Sequence, residues 1–190
     1  MTGPILRRDP YLRWVLLLAL VAFGVRVCSI AANLPDVPNP DEHLTIWPPL
    51  RMAYGTWSAT GGYPPLYDYL LLGEYGVFYG LGAVAGQFAG PMDFARQMLS
   101  DPTPLYLLGR MTSVLLGTAT VLWLYAVGRR LYDGRIGLLA AAFLTFDTVH
   151  VYASRVVKND VLMVFLLVGS FWFAVGNLQN GRTRHYMLAG

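Results

Sequence analysis

The sequence is short of charge. Only 13% of its residues are Asp, Glu, Lys or Arg, about half the share a soluble domain carries. A soluble surface cannot be covered without charge, so a soluble globular domain is excluded. Cysteine is scarcer still: Cys28 stands alone, inside an apolar run. That rules out an intrachain disulfide and a Cys-based zinc site, and leaves the redox compartment unreadable. There are three histidines, and His43, beside Asp41 and Glu42, has no second histidine near it to complete a metal set. The net charge is only +3. Arginines stand singly or in pairs, with no basic face interleaved with aromatics, so nucleic acid is not a partner. No internal repeat and no low-complexity tract is present.

What is abundant is apolar. Hydrophobic residues make up 55% of the chain, and 12 tyrosines and 5 tryptophans suit a membrane interface. Mean hydropathy is +0.46. A helix needs about 20 mostly apolar residues to cross the hydrocarbon core. Trp14–Ala32 is the first such run, preceded by Arg7, Arg8 and Arg13 and carrying Arg26 within it. No small-residue cleavage site precedes Pro35, so the run reads as an uncleaved span rather than a signal peptide. Leu105–Val127, Ile136–Ala153 and a run reaching Gly176 from about Asn159 are the next three, joined by short turns that make them antiparallel neighbours.

The segment Tyr63–Gly90 is apolar and aromatic, yet carries Asp68, Glu74 and many glycines. If it does not cross, the cytoplasmic side holds Arg7, Arg8, Arg13, Arg129, Arg130, Arg135, Arg182 and Arg184, against Arg51, Arg96, Arg155 and Lys158 outside. If it does cross, the two sides are equal. The positive-inside rule favours the first arrangement, and so does the cost of two carboxylates at mid-membrane. The expected protein is therefore all-α and multi-pass, with a cytoplasmic N-terminus and an extracytoplasmic loop over residues 33–104 that contains surface-lying helices. The last residues, Tyr186 to Gly190, read as the opening of another span, so the chain is expected to be an N-terminal fragment.

Three clusters could carry chemistry. Pro38-Asn39-Pro40-Asp41-Glu42-His43 sets adjacent carboxylates just outside the first span. One of them can serve as a general base. The plainer alternative is that Asp41 caps the following helix and Glu42 complements its dipole. Tyr63-Pro64-Pro65-Leu66-Tyr67 is a rigid helix start with interfacial aromatics. Arg155-Val156-Val157-Lys158-Asn159-Asp160 places two cations and a carboxylate in an outer turn. There they can bind a phosphate, or Asp160 simply caps the next helix while the cations contact lipid headgroups.

Taken in order, these elements resemble the GT-C glycosyltransferases, in particular the protein O-mannosyltransferases and the aminoarabinose transferases that act on lipid A. The resemblance runs through Asp41-Glu42, Tyr63 to Tyr67, Arg110 leading into Ser113–Arg130, the Arg129-Arg130-Leu131-Tyr132 end, His150–Asp160 and Tyr186 to Gly190. It implies a GT-C-like helical membrane domain whose juxtamembrane helices lie in the first outer loop. It also implies transfer of a sugar from a polyprenyl-phosphate-linked donor to a protein, lipid or glycan acceptor. Asp41 would correspond to the catalytic carboxylate of the acidic pair Asp41-Glu42, and Asp160 to an acidic residue at the outer start of span four. The sequence departs from the pattern at Gly62 and Tyr63, where members carry an acidic-lysine pair, and at Leu44, where some carry arginine. Arg51, Tyr63, Arg155 and Lys158 are the local candidates for substrate and phosphate contacts. No cofactor is demanded, and a divalent metal stays open.

The leading expectation is an inverting glycosyltransferase of hexosyl or pentosyl type at the cell membrane, with residues 1–190 inactive on their own. The rivals are a transporter or lipid-binding membrane protein, and a non-catalytic assembly subunit in which Asp41 and Glu42 only cap a helix.

Overall fold

The computed structural model describes residues 9–36, 39–56 and 64–180. Among the described residues the chain is entirely helical: α1 (Leu12–Val27), α2 (Pro40–Ala53), α3 (Leu66–Val84), α4 (Pro91–Ser100), α5 (Thr103–Leu131), α6 (Gly134–Phe146), α7 (Thr148–Ala153) and α8 (Asn159–Asn180). The all-α expectation holds. Two helices are long and apolar enough to cross a membrane, Thr103–Leu131 and Asn159–Gln179, and Gly134–Phe146 is a shorter apolar helix.

α5 is the spine. α1, α6 and α8 pack along it, and α1 also meets α6. The α5–α6 hairpin closes tightly because Gly128 and Gly137 face each other. A side chain on Gly128 would come within 2.8 Å of the Gly137 backbone. Asp133 caps α6, accepting hydrogen bonds from the N–H groups of Arg135 (2.8 Å) and Ile136 (2.9 Å), which satisfies donors the helix start leaves orphaned.

Two expected spans differ from the structure. The first runs as helix only over Leu12–Val27, about 24 Å. Beyond it the chain turns, with Ser29 and Asn33 at positive φ. The third, expected over residues 136–153, is broken at Asp147. That residue leaves the helical region and caps α7 by accepting from the His150 N–H at 2.7 Å. The break frees carbonyls at the end of α6, and Arg26 takes them. Its guanidinium donates to Leu144 O (3.0 Å) and Thr145 O (3.4 Å), and also pairs with Nδ1 of His150 at 3.0 Å. Arg26 is fully buried. The charge inside the first span thus faces protein and seals a broken helix, which removes most of its cost in an apolar setting.

α2, α3 and α4 form a second, aromatic unit. Phe78 and Tyr79 of α3 pack against Phe88 and against Phe94 of α4, mostly edge to face. α3 bonds to α5 from its N-terminal half. Tyr67 OH bonds to Gly109 O (3.2 Å) and Ser113 Oγ (2.9 Å), and Glu74 accepts from Thr112.

Candidate functional site

The site forms where α2, α5 and the α7–α8 connection meet. Asn39 is the cap of α2: its side chain accepts from the Asp41 N–H at 3.0 Å, and Pro40 fills the first helical position. Asp41 is therefore not the cap, and its carboxylate is released from that duty. Consecutive helical residues point about 100° apart. So the pair that looks like one motif in sequence separates in space.

Glu42 turns inward and is 1% exposed. Its carboxylate receives Nε and Nη2 of Arg110, both at 2.8 Å, and the Val157 N–H, also at 2.8 Å. Arg110 is itself buried, and its Nη1 donates to Ile30 O (2.8 Å) and Ala32 O (3.0 Å). One bidentate ion pair thus ties together the segment after α1, the first turn of α2, the N-terminal part of α5 and the connection to α8. Close approach makes this geometry possible. A side chain at Gly109 would collide with Val157 at 2.7 Å. The Arg110 guanidinium lies 5.9 Å from the ring centre of buried Tyr106, whose hydroxyl pairs with Nδ1 of His43.

Asp41 turns outward. Lys158 Nζ lies 3.1 Å from Asp41 Oδ2 and 3.0 Å from Asp160 Oδ2. These groups are partly open to solvent: Asp41 is 50% exposed, Asp160 45% and Lys158 31%. Hydrogen bonds to Asp160 and then to Asp41 hold the Lys158 ammonium above its ordinary pKa. Exposed pairs of this kind add little stability, about 0–1 kcal/mol, so the cluster is not there to hold the fold.

Beside Asp160 opens a cleft of about 200 Å³ lined by Pro64, Leu66, Tyr67, Asn159, Leu162, Met163 and Leu166. Its walls are apolar and its polar end is the start of α8. A larger depression, about 900 Å³, lies along the outer apolar face of α6 and includes none of the charged cluster.

Of the candidates, the structure brings together Asp41, Glu42, Lys158 and Asp160. It does not bring Arg51, which sits in the last turn of α2, about 15 Å along the helix from Asp41. Arg51 lines a separate open groove with Trp47, Tyr54, Met92 and Leu99. It does not bring Arg155 either, whose guanidinium bonds to Val25 O of α1. Tyr63 lies outside the described residues. Asn39 as cap and Arg110 as the partner of Glu42 were not legible in sequence. The one signal was a lone arginine at the start of an apolar helix, which demands a partner without naming it. Among the described residues, no three of His, Cys, Asp and Glu gather to hold a metal ion.

Residues 107–190 match the family model described as dolichyl-phosphate-mannose-protein mannosyltransferase. The matched residues make up less than half of the chain. The matched stretch contains Arg110, Lys158 and Asp160, and leaves Asp41 and Glu42 before it. No curated protein and no solved structure matches the chain. A likeness of this kind fits an all-helical protein with helices long and apolar enough to cross a membrane.

Proposed function

We propose that the protein transfers a hexosyl or pentosyl group from a polyprenyl-phosphate carrier to an acceptor hydroxyl on the extracytoplasmic side, with inversion. Residues 1–190 form the N-terminal part of its membrane domain in this reading. The observation that carries it is the division of labour in the acidic pair. Glu42 is consumed in a buried clamp, while Asp41 is held beside it with an oxygen at the surface and a cation within reach. Asp41 takes the proton from the acceptor hydroxyl as that oxygen bonds to the anomeric carbon. The bond from that carbon to the phosphate oxygen breaks, and its electron pair leaves on polyprenyl phosphate. Lys158 offsets the charge developing there. Glu42 and Arg110 position the base and do not act on substrate.

A transporter would gather free polar groups near the membrane midplane. The buried charge Arg26 instead donates to backbone carbonyls across the α6–α7 break, which is a structural use. The count of Lys and Arg on the two sides supports an outer loop that returns without crossing. Phosphate contacts fall to Lys158 rather than to Arg51 or Arg155.

The test is Asp41→Asn in the full-length protein. Asn39 does the capping, so this variant should fold as wild type. Sugar transfer from a polyprenyl-phosphate donor should fall by about 10²-fold or more, the scale of positioned proton transfer. Near wild-type turnover would sink the mechanism.

A further inference from the structure

We infer that Lys158 exchanges partners during the reaction: it leaves Asp41 and Asp160 for the donor's phosphate. The inference rests on the transferase reading above and adds a change of ion-pair partner to it. Three observations carry it.

First, Lys158 Nζ is shared between two carboxylates from different elements, at 3.1 and 3.0 Å. While it stays there, the ammonium is engaged and not available to a phosphate. Second, the root of Lys158 is fixed while its tip is not. The preceding N–H, that of Val157, is anchored on buried Glu42 at 2.8 Å, and Val157 is fully buried. The lysine side chain is 31% exposed, and its four-carbon stem ends in a compact charge that can swing. Third, Asp160, one of the two carboxylates holding Lys158, also lines the apolar cleft with Tyr67, Leu162 and Leu166. An apolar cleft that ends at a paired cation fits an amphiphile with an anionic head. Such a head would compete directly with Asp160 and Asp41 for the ammonium. The two exposed ion pairs are weak enough to be displaced, whereas a charge-assisted bond to phosphate is stronger.

The exchange makes a counterintuitive prediction. Asp160→Asn removes one competitor for Lys158, so it should tighten binding of polyprenyl phosphate, by about two- to fivefold, the worth of one exposed ion pair. Lys158→Gln should weaken it by roughly tenfold or more, the worth of a hydrogen bond to a charged group. In the Lys158→Gln background, Asp160→Asn should no longer tighten binding, because no cation remains to be released. The experiment measures polyprenyl phosphate binding to the full-length protein in lipid nanodiscs for the wild type, both single variants and the double variant. Thermal melting checks that all four are folded, as expected for surface side chains. Equal tightening with and without Lys158 would mean that Asp160 merely repels the phosphate, and would overturn the exchange. So would the absence of any tightening in the single variant. If the wild type neither binds polyprenyl phosphate nor transfers sugar from its glycosylated form, the transferase reading itself fails. An active wild type with an additive cycle sinks only the exchange.

Discussion

At the scale of the residue, Glu42 and Asp41 show how neighbours in sequence come to opposite uses. Glu42 is buried with a cation on one side and a backbone N–H on the other. Removing one partner of such a pair leaves the other charged and unpaired, which costs about 3–5 kcal/mol. Glu42→Gln should therefore lower the thermal midpoint and loosen the attachment of α2 to α5, losing activity through misfolding. Asp41→Asn should lose activity with no change in melting. The two variants compared by thermal unfolding and by sugar transfer separate a holding role from a reacting one. If Glu42→Gln melts like wild type, the clamp is not what holds the site.

At the scale of the element, α3 is fastened to α5 by polar contacts. Glu74 accepts from the Thr112 hydroxyl, and its second oxygen is buried with no partner. Burial raises its carboxyl pKa above the ordinary 4.5, with the Thr112 bond opposing in part. The sign follows from linkage. A carboxyl with a raised folded pKa binds its proton more tightly in the folded state. Stability is then greatest below the unfolded value, falls as pH rises through the folded value, and stays low above it. Glu74→Gln keeps an acceptor for Thr112 and removes the charge. It should raise the thermal midpoint at pH 7, and the gain should disappear below about pH 4. An unchanged midpoint at pH 7 would mean that Glu74 is solvated or paired in the protein. The same scale explains the break at Asp147. A polar residue that can cap in both sequence directions divides one apolar run into α6 and α7, and the carbonyls it frees are met by Arg26 from α1.

At the scale of the whole molecule, the question is on which side of the membrane α2, α3 and α4 lie. α1, α6 and α8 pack on α5, and α3 bonds to α5 at Gly109, Thr112 and Ser113. α2 and α3 therefore gather on the N-terminal half of α5. The expected outcome is that cysteines introduced at Arg96 and Asp101, after replacement of exposed Cys28, react with a membrane-impermeant reagent from the extracytoplasmic side. Both positions are exposed in α4 and just after it. Reaction from the cytoplasm alone would place α3 across the membrane and invert the charge argument.

Composition and hydropathy alone determined the class. Too little charge for a soluble surface and several long apolar runs leave a helical membrane protein as the only economical arrangement, and the family match over residues 107–190 agrees. The Asp41-Glu42 pair and the Lys158-Asn159-Asp160 turn were also visible as chemistry-bearing types at suggestive places. Their meeting was not, because it depends on a contact between residues 68 positions apart, Glu42 and Arg110, and on the close packing of Gly109 against Val157. Nor could sequence tell that Asn39 would cap α2, so that Asp41 is spared that role, or that Arg155 would turn to α1 and leave Lys158 as the cation beside Asp41. Local patterns specify which residues are helical and which are apolar. Which charge finds which partner is decided only when the helices close on one another, since a buried ion pair is stable only if both its members and the backbone groups around them are satisfied at once.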